Sequence, residues 1–437
     1  MKRALLAVVS VALMTVAMPA SSGAPLEAGP GPGYFATDNV EWLKNIPLNT
    51  DSAGARILGN YMYVTEDRGL TIYDISDPMT PLPTGFLPVP QMPYYTEEDV
   101  DTNGEILLIG SYGDLTEKTP VNLVSVIDVS DKSLPKLLSQ VSGADNHTIS
   151  CILDCTWAYG NRGVIVDLRD PAHPVKLANE WDAGMPAGNA HDVTEVAPGL
   201  VMTSSNPIMY LDARTDPAHP TLIESASPGD SRFVHGNLWP HQGTDDLVLV
   251  GGETSGDCDT SKAGAFMTFK VERDIETDEV TGFNMADQYR LDTGLPTEGR
   301  SPYDQFCAHW FSTHPTYDDG GTVAIGWYEH GTRFLNVATD GTISELGYFL
   351  PVGGSTSAAY WVNDEILYSI DYQRGLDILR FHNEPATGER RVPAPPGFHP
   401  VALTSPTGWA GDARPKGKRG FVCKTPLYGP EIRVSKR

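Results

Sequence analysis

Seven short, strand-like runs of hydrophobic residues recur along the chain, and most of them end in an aspartate followed by a turn and a proline. Runs of this length, rich in Val, Ile, Tyr and Phe and bounded by turn residues, predict β-strands. The runs are GLTIYDISDPMTP (69–81), LVSVIDVSDKSLP (123–135), GVIVDLRDPAHP (163–174), PIMYLDARTDPAHP (207–220), GAFMTFKVERDIETDEV (264–280), GTRFLNVATDGTI (331–343) and GLDILRFHNEP (375–385).

The runs start about 40 to 70 residues apart, which leaves room for one four-stranded sheet per repeat. In the fourth repeat the pattern predicts strand a over 191–196, strand b over 200–204, strand c over 208–213 and strand d over 221–225. Several short strands with turn residues between them predict an all-β repeat fold.

The number of outer, or d, strands predicts how the repeats close. Six lie inside the array, at 82–89, 136–141, 175–181, 221–225, 287–291 and 343–350. The seventh repeat has none, whereas residues 40–48 have the d-strand pattern and precede the first a strand. We therefore expect a seven-bladed β-propeller of four-stranded blades over residues 40–385. The N-terminal strand would complete the last blade and remove an exposed sheet edge.

The chain resembles the LVIVD-repeat proteins, a group of predicted β-propellers. The resemblance covers roughly residues 40–382 and rests on GLTIYDISDP, VSVIDVSD, GVIVDLRDP and the HDV of 191–193. It implies a propeller and a blade type, and the family has no single assigned reaction.

The two ends of the chain differ from the repeats. Residues 1–24 have the form of a secretory signal, with Lys2 and Arg3, an apolar stretch and then small residues. Residues 25–39 are predicted to be a flexible leader, and 386–437 a Pro/Gly-rich basic tail that is wrapped over the ring or disordered. The chain is therefore expected to be secreted, extracellular or held at the cell envelope.

Composition narrows the choice of partners. Of 437 residues, 40% are hydrophobic, enough for a substantial core, and the net charge is −25. That charge argues against nucleic acid or an anionic membrane as the main partner. Outside the signal no run is long enough to cross a bilayer. We expect a monomer whose partner is a protein or a small polar ligand.

Five cysteines in an oxidising compartment predict two disulfides and one remaining thiol. Cys151 and Cys155 would face each other if the three residues between them form a hairpin loop. Cys258 and Cys307 are the second candidate pair, joining neighbouring repeats, and Cys423 lies in the tail. The alternative is that all five are free.

The start of strand a, which lines the axis of a propeller, differs between repeats. The third to sixth repeats carry His147, His191, His235 and His309 there, and the second carries Glu98. The first and last carry small residues. His241 and His314, each followed by an Asp-Asp pair, are further candidates. Alternatively, each histidine belongs to the blade consensus and bonds a neighbouring backbone.

Imidazoles that converge on one axis can bind a transition metal such as iron, copper, zinc or manganese. The axial histidine pattern is loosely similar to that of the carotenoid-cleaving oxygenases and of the methanethiol oxidase (selenium-binding) family. Neither full motif set is present, so no reaction and no catalytic residue are carried over.

Two functions follow from these observations. The first is a secreted binding or scaffold module with a His-lined axial pocket. The second is a metal-dependent enzyme, redox or hydrolytic, that uses the histidine cluster. Whether the protein is an enzyme stays open at this point, because no nucleophile motif accompanies the histidines.

Overall fold

Seven antiparallel sheets form the blades of a propeller, as the repeat pattern predicts. Six of the sheets have four strands and one has six. The computed structural model describes residues 33–46, 54–66, 69–88, 95–112, 123–143, 148–178, 190–229, 233–253, 264–291, 307–328, 330–352, 354–372 and 374–392.

Two strands precede the first blade, and blades 1 to 3 follow in chain order from strand a to strand d. The strands are β1 (Tyr34–Thr37), β2 (Val40–Ile46), then β3 (Ala55–Leu58), β4 (Tyr61–Glu66), β5 (Gly69–Asp74), β6 (Leu82–Pro88), then β7 (Tyr95–Thr102), β8 (Ile106–Tyr112), β9 (Leu123–Asp128), β10 (Lys136–Ser142), then β11 (Ile149–Ile152), β12 (Trp157–Gly160), β13 (Ile165–Asp167) and β14 (Val175–Lys176). A 3₁₀ turn, Asn161–Gly163, lies between β12 and β13.

Blades 4 and 5 have the same order of strands. They consist of β15 (Asp192–Ala197), β16 (Leu200–Ser204), β17 (Ile208–Asp212), β18 (Thr221–Ala226), then β19 (Val234–Leu238), β20 (Leu247–Gly252), β21 (Phe266–Arg273) and β22 (Val280–Tyr289). A four-residue turn, Pro240–Gly243, joins β19 to β20. The outer strand of blade 5 begins earlier than predicted, because the turn at residues 274–279 is tight and β21 and β22 pair along their whole length.

Blade 7 is closed by the N-terminal strand, as predicted. Blade 6 contains β23 (Phe311–Thr313), β24 (Gly321–Gly326), β25 (Thr332–Val337) and β26 (Ile343–Pro351), and blade 7 contains β27 (Thr356–Trp361), β28 (Ile366–Asp371) and β29 (Gly375–Phe381). The fourth strand of blade 7 is β2, which pairs antiparallel with β29. β2 thereby covers the edge of β29 and links the segment before blade 1 to the last blade.

Blade 6 has two strands that the sequence did not predict. β1 pairs with β26, and β30 (Glu389–Val392) pairs with β1. These strands lie in segments that we expected to be leader and tail. Phe35 and Ala36 of β1 are buried, and Asn39 Nδ2 donates to the carbonyls of Leu346 and Glu384 at 3.0 and 2.7 Å.

The aspartates of the repeat are turn caps. In blade 1, Asp74 Oδ1 accepts the N–H of Ser76 at 2.8 Å and Asp77 Oδ1 accepts that of Met79 at 3.0 Å. The same pair of bonds occurs in blades 2, 3 and 4, at Asp128 and Asp131, Asp167 and Asp170, and Asp212 and Asp216. A carboxylate that satisfies the N–H two residues on stabilises a tight turn, which explains why the motif recurs between strands c and d.

Apolar side chains from neighbouring blades form the core. Ile165 of blade 3, for example, shares one cluster with Val201 and Leu211 of blade 4. The last and first blades are also linked by a hydrogen bond of 2.7 Å from the hydroxyl of Tyr368 to the carbonyl of Pro78. Each blade is therefore stabilised mainly by its neighbours, as in other repeat folds.

Asp377 of β29 is fully buried and holds the closing strand in place. Its carboxylate accepts two hydrogen bonds of 2.8 Å from the guanidinium of Arg374, one from Trp42 Nε1 at 2.9 Å and one from Asn45 Nδ2 at 3.0 Å. Trp42 and Asn45 belong to β2. One carboxylate thus joins the N-terminal strand to the last blade.

The predicted hairpin disulfide is present. Cys151 and Cys155 are bonded, with a Cα–Cα distance of 4.4 Å, across the turn between β11 and β12. Cys307 is also disulfide-bonded, whereas Cys258, its predicted partner, lies outside the described residues. Within the described ranges, no helix has the length and apolar character needed to cross a membrane.

Candidate functional site

Side chains on strand a bond the backbone of strand a in the next blade, and these bonds position the axial histidines. His191 Nδ1 lies 2.8 Å from the carbonyl oxygen of His235, and His309 Nδ1 lies 2.6 Å from that of Ser357. A carbonyl oxygen can only accept, so both rings carry a proton on Nδ1. The neutral ring then has its lone pair on Nε2.

The same kind of hydrogen bond shows which residue of blade 3 corresponds to His191 and His309. The hydroxyl of Thr148 donates to the carbonyl of His191, so Thr148 occupies the place that His191 has in blade 4. The repeat pattern predicted His147, the preceding residue, at this position. His147 lies outside the described residues. In blade 7 the position is Ser357, one of the small residues that the sequence predicted there.

Three imidazoles pack together at the axis. The ring centroids of His191 and His235 are 4.1 Å apart and those of His235 and His309 are 4.0 Å apart. All three side chains are buried, with 4%, 0% and 0% of their surface exposed. The structure thus brings together three of the four histidines that the sequence selected. Glu98 lies in β7, and its side chain is outside the described set.

Aromatic side chains surround the imidazoles. Phe233 lies 5.2 Å from His191, Trp310 lies 4.7 Å from His235, and Tyr328 lies 4.7 Å from His309, as centroid distances. Tyr328 is fully buried, whereas Phe233 and Trp310 are half-buried and form the more exposed edge of the cluster. We call these three histidines and three aromatic residues the axial cluster.

Blade 5 adds a carboxylate next to the axial cluster. The hydroxyl of Tyr328 donates to Glu253 Oε1 at 2.6 Å, and Glu253 is 3% exposed. The ring of Tyr328 is nearly parallel to that of Tyr372 in blade 7, with centroids 6.3 Å apart. No sequence motif marked these tyrosines. They could have been recognised by their common position, because each follows strand b in one of two adjacent blades.

His241 and His314 do not join the axial cluster. Both lie in turns between strands a and b, at the other end of strand a. The two ring nitrogens of His314 are bonded within the protein, Nδ1 to Thr316 Oγ1 at 2.7 Å and Nε2 to the carbonyl of Asp364 at 2.8 Å. Each nitrogen would therefore have to give up a hydrogen bond before His314 could act as an additional metal ligand.

A metal site is not apparent in the described ranges: no group of three or more His, Cys, Asp or Glu side chains there has an arrangement suited to a metal ion. The three axial imidazoles are stacked or tilted against each other, at interplanar angles of 30° and 41°. What the arrangement offers chemically is a row of hydrogen-bonding imidazoles enclosed by aromatic rings.

Comparison with known sequence families identifies the repeat. Residues 51–84, which include strands a to c of blade 1 and the turn after them, match the model of the LVIVD repeat. The chain carries an LVIVD repeat. This confirms the resemblance to LVIVD-repeat proteins that the strand motifs indicated. No curated protein sequence matches the chain significantly.

Solved structures with the same architecture are β-propellers. The β-propeller domain of Myceliophteria thermophila Cps50 (Swd1) is 14% identical, with a TM-score of 0.55 over 78% of this LVIVD-repeat chain and 100% of that chain. The WD40 repeats of RRP9 are 9% identical, with a TM-score of 0.51 over 79% and 98% of the two chains. At these identities the likeness shows the fold alone. Similarity to the carotenoid-cleaving oxygenases is not shown by these comparisons.

Proposed function

We propose that this LVIVD-repeat propeller is an exported binding module that holds a small polar ligand at the axial cluster. The observation that supports the proposal is the convergence of His191, His235 and His309 from three consecutive blades onto one place at the axis. Apolar side chains would fill the same space without the cost of taking three imidazoles out of water.

The anchoring of the rings also supports a binding role. Backbone carbonyls accept the Nδ1–H of His191 and His309, so both rings are held in a fixed orientation at the axis. Imidazoles held in this way suit a ligand that carries hydroxyl or amide groups. The aromatic rings around them supply the apolar walls typical of small-molecule sites.

Substitution by asparagine separates the two roles of each histidine. The Asn Nδ2–H can replace Nδ1–H as donor to the next blade, but nothing replaces Nε2. We therefore expect His191→Asn and His309→Asn to keep the stability of the fold and to lose ligand. His173→Asn is the matched control, because His173 lies in an exposed turn and its ring pairs with Asp170 of the same turn.

Native mass spectrometry of the untagged, exported protein is the direct measurement. The expected result is a bound non-protein mass that is present in the wild type and in His173→Asn and absent from the His191→Asn/His309→Asn double variant. A ligand-free wild type, together with a double variant of unchanged stability, would show that the histidines only join the blades.

A metal-dependent enzyme is the second candidate, and the tautomer of the rings favours it. Histidines that bind metals usually donate their other ring N–H to a carbonyl or carboxylate, as His191 and His309 do here. His191, His235 and His309 would be the ligands of iron, copper, zinc or manganese. Elemental analysis that finds about one metal equivalent, lost in the same double variant, would support this function. Metal-free protein that takes up none on dialysis would eliminate it.

Export is part of the proposal. It rests on the basic start and apolar stretch of residues 1–24, and the disulfide between Cys151 and Cys155 supports it, because disulfides persist in oxidising compartments. N-terminal sequencing of the mature protein tests it, since cleavage within residues 20–25 is the expected result and an intact Met1 would contradict it.

A further inference from the structure

A concave site lies between blades 4, 5 and 6, at the opposite end of strand a from the axial cluster. It is a cavity of about 360 Å³. Residues that line it include Glu195, Leu238, Trp239, His241, Thr313 and Tyr317. It is separate from the axial cluster, because these residues lie at the ends of strands a and in the a–b turns, whereas the axial histidines lie at the starts of strands a.

Glu195 is the acidic group of this cavity. Its Oε1 accepts two backbone N–H groups, from Leu153 at 2.8 Å and from Gly199 at 2.7 Å, which hold the carboxylate in one orientation. Its Oε2 has no bond to any described residue. Burial, with some repulsion from Asp101 and Asp154, raises the pKa of Glu195 above its ordinary value. An additional donor at Oε2 would relieve that cost.

The rim of the cavity has an unusual backbone conformation. His241 and Gln242 are consecutive non-glycine residues with left-handed dihedrals, at φ 50° and 56°. Two bonds to Asp245 hold this turn: His241 Nδ1 lies 2.6 Å from Asp245 Oδ1, and Trp239 Nε1 donates to the Asp245 carbonyl at 2.8 Å. Left-handed conformations cost free energy and cluster at ligand sites, where the surrounding structure maintains them.

Tyr317 provides an unsatisfied polar group in the cavity wall. The residue is 3% exposed, and its hydroxyl has no hydrogen-bond partner among the described residues. The carboxylates of Asp245 and Asp319 lie close enough to add to the effect of burial in raising its pKa. A buried hydroxyl without a partner costs about 1–3 kcal/mol, so a ligand group that bonds it would be favoured.

Charge indicates the class of ligand. Glu195 is the acidic side chain of the cavity wall, and Asp245 and Asp319 lie close to Tyr317. The two basic groups of this turn are already engaged: His241 lies 2.6 Å from Asp245, and Arg273 donates to the Gly243 carbonyl at 2.9 Å and lies over the Trp239 ring. We propose that the cavity binds a primary ammonium group on an apolar stem, as in an alkylamine or a lysine side chain. The ammonium would bond Glu195 Oε2, and the stem would pack on the apolar part of the wall.

Calorimetric titration of the full chain with n-pentylammonium tests this, with 1-pentanol as the ligand that has the same stem and no charge. Nα-acetyl-lysine amide is the second probe. The cation that binds more tightly shows whether the cavity favours a free amine or the lysine side chain of a peptide. We expect Glu195→Gln to weaken binding about ten- to one-hundred-fold, the effect of losing a bond between two charged groups. Tyr317→Phe should weaken it less.

Two variants control for general effects. Glu224→Gln also neutralises a strand glutamate of blade 4 that accepts a backbone N–H. Tyr63→Phe removes another buried hydroxyl that has no hydrogen-bond partner in the described part of the chain. Both variants should bind as wild type. Equal binding of pentanol and pentylammonium, or wild-type affinity in Glu195→Gln, would overturn the proposal. His191→Asn should leave the binding of pentylammonium intact. A failure of the proposed axial site can therefore be distinguished from a failure of this cavity.

Discussion

Replacing Asp377 by alanine should release the closing strand of the propeller. The buried carboxylate accepts the described hydrogen bonds of the Arg374 side chain, whereas Asp371 acts on that guanidinium only electrostatically. Both donors of β2 that reach Asp377, Trp42 Nε1 and Asn45 Nδ2, would lose that acceptor. Removing one partner of a buried ion pair costs about 3–5 kcal/mol, because the other charge is left uncompensated.

The hydrogen bonds to β2 modify this value only slightly. Asn45 Nδ2 keeps the carbonyls of Arg374 and Leu376 as acceptors, at 3.1 and 3.3 Å. Trp42 loses the only described acceptor of its indole, which costs about 1 kcal/mol. We therefore expect Asp377→Ala to lower the free energy of unfolding by about 4–6 kcal/mol.

Urea denaturation monitored by circular dichroism measures this loss, and limited proteolysis shows whether residues 33–46 become the first site of cleavage. The double variant Arg374→Met/Asp377→Leu is the matched control. It removes both charges, so it should recover most of the stability. Two results would refute the reasoning: a loss below about 1.5 kcal/mol in Asp377→Ala, or a double variant that is less stable than the single one. Either would show that the destabilisation does not come from a buried, unpaired Arg374 charge.

Three further predictions concern stability. Reducing the Cys151–Cys155 bond, or replacing both cysteines by serine, should cost about 2 kcal/mol, because the closed loop is short; a loss above about 4 kcal/mol in urea denaturation would contradict this. Tyr368→Phe should cost about 1 kcal/mol, because the Pro78 carbonyl loses its donor from blade 7, and an unchanged unfolding midpoint would argue against that bond. Hydrogen bonds from Ser76 and Ser130 lower the pKa of Asp74 and Asp128 below the ordinary value of 3.8. Their stabilisation should therefore be complete above about pH 5 and lost as the pH falls through their folded pKa. Replacing both aspartates by asparagine should reduce the fall of the melting temperature at low pH. An unchanged fall would show that these two turns do not contribute to the pH dependence of stability.

The blades were predictable from sequence because each one repeats the same local rules. The run from Gly69 to Asp74 and its counterparts combine strand-forming residues with aspartates that cap the following turn. Strand c and the turn after it can therefore be located in each repeat. β2 was found by counting, since one outer strand was missing. β1 and β30 carry no repeat motif. β1 is a strand because β26, more than 300 residues further along the chain, offers a free edge, and β30 is a strand because β1 offers the next edge. No local sequence pattern indicates either edge.

The candidate site was predictable only in part. His191, His235 and His309 were selected because they begin equivalent strands, and the structure brings them together. The register of blade 3 was not predictable to one residue, because the alignment of the repeats follows the histidine at 147, whereas Thr148 is the residue whose side chain bonds the next blade. His241 and His314 follow their axial histidines at similar spacings, yet the backbone turns away after strand a, so similar spacing did not mean a shared site.

The arrangement of blade 6 has a consequence for how the protein could be attached to other molecules. Tyr34, at the start of β1, lies opposite Val392, at the end of β30. The chain therefore enters and leaves the described fold at one point on the outer rim of the ring. A tether at either end would pull on the same blade and hold the axis in the same orientation.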